Sequence, residues 1–294
     1  MTTTTSIILD LAVGTRLDIT DAYEIAAAAA DAGVSAVRVL AGAADEVLDP
    51  TAVAEYLADR IPELRWIVEA PTTHTTPYNL ARRVLSLDRA TEGGSGLALR
   101  AAGGGEVATT AVTNTAVTGR ETGGRGRRWA EYARTLIGLW ENSPEAGLLG
   151  DQVVGTLDGP SSAQGRPVLI ADARDELEWE DVAALADVLV VSREQAPVAA
   201  WRFAAALERV GRRRAEVAVL GRADMTGSAF APWTARELAE WAASHALDGL
   251  EVVIDGDRAE ILMLLRALGP WQRPAPGSTL RDALGLPGPV KALA

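Results

Sequence analysis

The residues with the clearest capacity for chemistry are Thr72, Thr73 and His74, which follow the apolar run Trp66 to Ala70. Two hydroxyls and an imidazole at a strand end can hydrogen-bond the polar edge of a flat ring ligand, and the imidazole can carry a proton. The bland alternative is an ordinary polar strand end, with a capped or solvated histidine. Just beyond, Tyr78 and Arg82 are spaced to share one helical face. Tyr78 suits packing of that helix against its neighbours, and Arg82 suits pairing with Asp88. Asp255 and Asp257 follow another apolar run, but no carboxylate or histidine can be placed beside them, so a metal or glycosidase reading has little support.

Composition removes several function classes. The chain has no cysteine and two histidines, His74 and His245. That excludes disulfides, thiolate metal sites, cysteine nucleophiles and a histidine-rich metal centre. Its formal charge of −12 and pI near 4.8 would repel a nucleic acid backbone or an anionic membrane surface. Gly93-Gly94-Ser95-Gly96 and Gly103-Gly104-Gly105 have neither the dinucleotide-loop spacing nor a phosphate-loop lysine. The N-terminal run Ile7 to Val13 is interrupted by Asp10 and has no basic segment before it, so it reads as a strand rather than a signal peptide. No window is long enough to span a bilayer, and a soluble cytoplasmic protein is expected.

The elements that must position these residues alternate regularly. Short runs rich in Val, Ile and Leu cover Ile7–Val13, Ala36–Ala41, Trp66–Ala70, Leu97–Ala101, Val168–Ala171, Val188–Val191, Val217–Leu220 and Leu250–Ile254. Helical patterns lie between and after them, near Asp21–Ala32, Pro50–Arg60, Pro77–Ala90, Arg127–Trp140, Trp179–Ala186, Pro197–Val210, Thr234–Ser244 and Arg258–Leu268. Apolar strands buried on both faces, each followed by a helix, predict an α/β fold: a (β/α)8 TIM barrel in one domain over residues 1–294, with a tail from 270 packed on it. Thr20 or Asp21 is expected to cap the first helix, Pro50 and Pro77 to occupy first turns, and Thr234 with Glu237 to form a capping box. In such a barrel the loops after the strands build the active site, so Thr72, Thr73 and His74 would stand at its mouth.

Three stretches resemble a known family. They are PTTHTTPYNLARRVLSLDRATEGG (Pro71 to Gly94), QGRPVLIADARDELEW (Gln164 to Trp179) and GSTLRDALGLPGP (Gly277 to Pro289). Together they resemble the bacterial-luciferase-like flavin monooxygenases, in the branch of the nitrilotriacetate and dibenzothiophene-sulfone monooxygenases. The resemblance implies a luciferase-like barrel that uses reduced FMN from a separate flavin reductase, with O2, to oxidise a small organic substrate. Coenzyme F420, or no cofactor, is the alternative. It also implies that Thr72 and Thr73 lie beside the flavin with Tyr78, that His74, the catalytic candidate, stands where the branch commonly has tyrosine, and that Arg174 lies in the flavin-phosphate loop. A homodimer is expected through the early helices, using Tyr23, Ile25 and Ala26–Ala30.

The sequence departs from the branch at several of these places. The loop after strand five carries Asp172, Ala173, Arg174, Asp175, Glu176 and Glu178 where glycine and serine would cradle a phosphate. Arg174 can take the phosphate bidentately, or pair on the surface with Asp175 or Glu178. Leu40-Ala41-Gly42 and Leu97-Ala98 replace two polar flavin contacts, and the segment before strand five is short. A degenerate flavin site is therefore expected. The rival reading is a flavin-free barrel relative acting as a binding or structural module.

Overall fold

Eight parallel strands close on themselves in chain order. They are β1 (Ser6–Leu11), β2 (Ala36–Val39), β3 (Arg65–Pro71), β4 (Ser95–Arg100), β5 (Val168–Asp172), β6 (Val188–Val191), β7 (Ala218–Asp224) and β8 (Gly249–Val253). The barrel shuts where β1 pairs with β8, Ser6 opposite Gly249. The computed structural model describes residues 6–42, 48–73, 75–101, 124–141, 148–149, 152–153, 157, 161–225, 234–269, 271 and 273–289. His74, the Gly103–Gly105 cluster and most of the segment before β5 lie outside these residues.

A helix follows every strand: α1 (Ile19–Asp31), α2 (Pro50–Ala58), α3 (Pro77–Ala90), α4 (Arg125–Trp140), α5 (Trp179–Leu185), α6 (Ala196–Arg209), α7 (Ala235–Ser244) and α8 (Arg258–Leu268). Two-residue strands Leu148–Leu149 and Gln152–Val153 pair between α4 and β5. Pro50 and Pro77 open α2 and α3, and Thr234 with Glu237 closes a capping box on α7. The first cap differs from expectation. Asp18 is the N-cap of α1 because its extended backbone lets one carboxylate oxygen accept from the N–H groups of Thr20 and Asp21, while Asp21 answers as the third helical residue.

Side-chain alternation along the strands produces two separate cores. One parity, including Leu9, Val37, Val68, Leu99, Leu169, Leu189, Val219 and Val252, packs outward against the helices. The other parity, Ile8, Ala36, Ile67, Ala98, Ile170, Val188 and Leu220, fills the barrel with Leu280, Leu284 and Leu286 from the tail. That tail forms a short helix α9 (Leu280–Ala283) across the N-terminal ends of the strands. Leu280 donates its N–H to the Gly93 carbonyl, and Ser6 donates its hydroxyl to the Ala283 carbonyl at 2.8 Å. Gly93 sits at φ +86°, and a Cβ there would stand 2.9 Å from the Thr279 methyl, so the glycine permits both the turn and the tail.

Candidate functional site

One residue further along each strand's inward parity, apolar side chains give way to charge. Asp10 (β1), Arg38 (β2), Glu69 (β3), Arg100 (β4), Asp172 (β5), Arg222 (β7) and Glu251 (β8) each stand two residues beyond an interior position, and β6 contributes Val190. These residues form a layer across the C-terminal mouth. Arg38, almost fully buried, bridges Glu69 and Glu251. Arg222 donates through Nη1 to Glu251 at 2.6 Å and to Asp10 at 3.1 Å. Arg100 approaches Glu69 at 3.6 Å. A strand-borne charge is costly to bury alone, so the pairing of carboxylates with guanidiniums across the ring is what makes the layer possible.

The balance is uneven. Three carboxylates, Asp10, Glu69 and Glu251, share the two guanidiniums of Arg38 and Arg222, while Arg100 is taken mainly by Asp175 and Asp172 pairs with Arg174. Burial, followed by the nearby Glu251 carboxylate, pushes Asp10 well above the usual carboxylate range despite Arg38 and Arg222. Its Oδ1 is buried without a hydrogen-bond partner among the described residues. Burial alone would lower Arg38, but Glu251, Asp10 and Glu69 outweigh it and keep the guanidinium charged.

Thr72 and Thr73 stand immediately above this layer, at the end of β3. The Thr72 N–H bonds to the Arg100 carbonyl at 3.0 Å, which fixes the strand end beside β4. Both Thr72 Oγ1 and Thr73 Oγ1 are buried without a partner among the described residues. A hydroxyl left in that state costs free energy, and a ligand with a polar edge would recover it. Tyr78, on α3, is partly buried against the helix-facing core. Arg82 does not engage Asp88, whose carboxylate instead accepts from Gln164 Nε2 at 2.6 Å. Tyr132 of α4 donates its hydroxyl to the Thr75 carbonyl at 2.6 Å, tying the loop after β3 in place.

The loop after β5 is filled by its own ion pairs. Arg174 does not take Asp175 or Glu178; its partner is Asp172, reached from Nε at 2.9 and 3.0 Å and also from Nη2. Burial would raise the Asp172 carboxyl, but hydrogen bonds and charge from Arg174 hold it below its ordinary value. Asp175 is held by Arg100, with Nε at 2.9 Å from Oδ2 and Nη2 at 2.7 Å from Oδ1, and by the Ala101 N–H at 2.9 Å. The spacing explains the change of partner: Asp172 lies at the strand end, where it caps the following 3-10 turn (Ala173–Asp175) and faces Arg174 directly.

Beside the ring, a cavity of about 190 Å³ lies at the ends of β6 and β7, lined by Arg193, Glu194, Arg222, Asp224, Met225 and Trp241. The remaining sequence candidates are structural. Asp255 pairs with Arg16, and Asp257 caps α8. Gln164 and Arg166 lie with the tail at the opposite end of the barrel: Gln164 accepts the Arg281 N–H, and Arg166 pairs with Asp187. Among the described residues no cluster of three His, Asp or Glu side chains is arranged to hold a metal ion, and no helix is long and apolar enough to cross a membrane.

The ring itself is a feature that the apolar strand pattern concealed. Its signal was present as single charged residues inside otherwise apolar strands, all of one parity: Asp10, Arg38, Glu69 and Glu251.

Comparison with known proteins places the fold. No family model matches the chain, and no curated protein matches it. Among solved structures, it is similar to an EDTA monooxygenase from Chelativorans sp. BNC1, with 18% identity and a TM-score of 0.72 over 97% of this chain and 98% of that one. A long-chain alkane monooxygenase is similar at 14% identity and a TM-score of 0.74, covering 97% and 96% respectively. A coenzyme F420 dependent tetrahydromethanopterin reductase from Methanopyrus kandleri gives 12% identity and a TM-score of 0.64, covering 90% and 98%. The chain shares the (β/α)8 barrel fold of these enzymes over nearly its whole length.

Proposed function

We propose that this protein is a luciferase-like oxidoreductase that receives a flavin-type ring at the C-terminal mouth of its barrel and oxidises a small organic substrate. The observation that carries this reading is the pair of buried hydroxyls at Thr72 and Thr73, without a partner among the described residues and on the face where such barrels bind their ligands. The similarity in fold to monooxygenases, to a riboflavin lyase solved with modified FMN and to a coenzyme F420 dependent reductase supports it. The fit differs between the two ends of the cofactor. The hydroxyls suit the polar edge of an isoalloxazine or deazaflavin ring, whereas the loop after β5, where a phosphate would sit, is occupied by Asp172 and Asp175 with their arginines.

Within this reading, Thr72 and Thr73 orient the ring with Tyr78 beside it, Tyr132 braces the loop after β3, and His74 adjoins the threonines in the sequence as the proton-handling candidate. The ion ring forms a rigid polar floor, and the cavity beside Arg222 admits a small substrate. A bound flavin, delivered as reduced FMN by a separate reductase, would supply the electrons that activate O2; an oxidised deazaflavin such as coenzyme F420 would instead accept a hydride from the substrate. The protein is expected to act in the cytoplasm as a homodimer.

A second reading, a flavin-free barrel acting as a binding or structural module, is favoured by the same closed loop after β5. The two are separated by titrating FMN, riboflavin and coenzyme F420 into the protein while following their visible absorbance and fluorescence. Binding of any of the three, weakened about tenfold by Thr72→Val together with Thr73→Val, supports the oxidoreductase. No binding of any of them removes it in favour of the module.

A further inference from the structure

The ion pairs around Asp175 have the form of a ligand site with an occupant. Its carboxylate receives two charged N–H groups from the Arg100 guanidinium and one backbone N–H from Ala101, a donor set that suits a phosphate or a carboxylate equally well. Asp175 is 6% exposed, while Arg100 is 27% exposed toward the mouth. Underneath, Glu69 lies 3.6 Å from Arg100 Nη1, the guanidinium nitrogen that Asp175 does not engage, and attracts the guanidinium from below. Asp175 itself is delivered by a turn that ends in strain. Glu176, the next residue, adopts a left-handed conformation at φ +55°, which a side chain other than glycine tolerates poorly.

We propose that Arg100 and the Ala101 N–H form an oxyanion seat at the barrel mouth, and that Asp175 is its intramolecular occupant. The ligand class is a small oxyanion, either the phosphate of a bound cofactor or the carboxylate, sulfonate or phosphonate group of a substrate. An external anion enters only when the turn over residues 173–176 lifts Asp175 away. Apparent affinity is then reduced by the fraction of molecules in which the seat is open. The inference rests on the mouth being the ligand-binding face, as in the reading above, but not on the ligand being a flavin.

The test is calorimetric titration of inorganic phosphate, at constant ionic strength, into the unmodified protein, Asp175→Ala, and Asp175→Ala combined with Arg100→Gln. The seat predicts saturable binding to Asp175→Ala at least about tenfold tighter than to the unmodified protein, as expected if the seat is open in a tenth of molecules or fewer. That binding must be lost when Arg100 is also replaced. If Asp175→Ala does not fold, Asp175→Asn keeps the side-chain size without the charge and is measured instead. Equal phosphate binding with and without Asp175, or binding indifferent to Arg100, would overturn the proposal.

Parallel titrations of FMN and riboflavin identify the source of the anion. A gain for FMN alone in Asp175→Ala assigns the seat to the cofactor phosphate. Phosphate binding without that FMN-specific gain assigns it to a substrate oxyanion. If phosphate binds Asp175→Ala but no flavin binds any variant, the seat stands and the flavin reading falls.

Discussion

Arg281, in the C-terminal tail, donates to Asp187 at 3.2 Å, and Asp187 simultaneously receives Arg166 through both carboxylate oxygens at 2.6 and 3.0 Å. All three side chains are nearly inaccessible. The relationship joins two of the stretches that resemble the flavin monooxygenases, and it does so at the end of the barrel away from the mouth. Gln164, from the same stretch as Arg166, adds a second tie through the Arg281 N–H, and Gly93 a third through Leu280. Much of what makes the sequence resemble that family therefore holds the barrel closed rather than performing chemistry.

Removing Asp187 should destabilise the protein rather than change its ligand affinity. Asp187→Ala leaves Arg281 buried without its counter-charge and Arg166 with Glu141 at 3.4 Å alone, at an expected cost of about 3 kcal/mol, measurable by urea denaturation. Burial would raise this carboxyl, but Arg166 and Arg281 hold it below its ordinary value. Its contribution is thus fully present above the unfolded-state pKa of about 3.9 and is lost as pH falls through the lower folded value. The difference between the unmodified protein and Asp187→Ala should shrink on acidification; a constant difference down to about pH 2 would contradict this assignment.

The architecture was legible because barrel strands are apolar on both faces, so each of the eight runs announced itself, and Pro50, Pro77 and Thr234 marked helix starts by their own chemistry. Thr72 and Thr73 could be placed at the mouth by strand direction alone. Partner choice was not legible. Arg174 has Asp172, Asp175, Glu176 and Glu178 within a few residues, and only the turn geometry after β5 selects Asp172. Asp175 finds Arg100, 75 positions away, through the pairing of β4 with β5. His74 falls outside the described residues, so its placement rests on the sequence.

Asp10 gives a pH dependence of opposite sign to that of Asp187. Its folded-state pKa is raised by burial and by Glu251, so the folded protein binds this proton more tightly than the unfolded chain. Stability is favoured at low pH and falls as pH rises from about 3.9 through the folded value. Asp10→Asn mimics the protonated carboxyl and removes the penalty. Thermal unfolding should show Asp10→Asn more stable than the unmodified protein at about pH 8, with the gap narrowing at about pH 5. A lower melting temperature for Asp10→Asn at both would mean that the carboxylate stays ionised in the ring.

The α1 surface expected to carry a homodimer is smaller than its sequence suggests, because Ile25, Ala26 and Ala29 point into the helix-facing core. Tyr23, 41% exposed, remains outside, and Met263 on the adjoining α8 is 60% exposed. If these residues form the contact, Tyr23→Asp should shift the protein to a monomer in light scattering without altering its melting temperature at low concentration. A particle whose mass is unchanged by Tyr23→Asp would place the interface elsewhere or exclude it.

Thr72 should show opposite effects on stability and on binding. Its buried hydroxyl has lost water without gaining a partner among the described residues, and an unsatisfied group of this kind costs about 1–3 kcal/mol. Thr72→Val keeps the branched shape and replaces the hydroxyl by a methyl group, so the ligand-free protein should gain stability, by about 1 kcal/mol in urea denaturation. The same change should weaken flavin-type ligands, since the hydroxyl is then missing when the ring's polar edge arrives. A variant that loses stability would show that Thr72 Oγ1 makes a hydrogen bond in solution, and the hydroxyl would no longer point to a missing ligand.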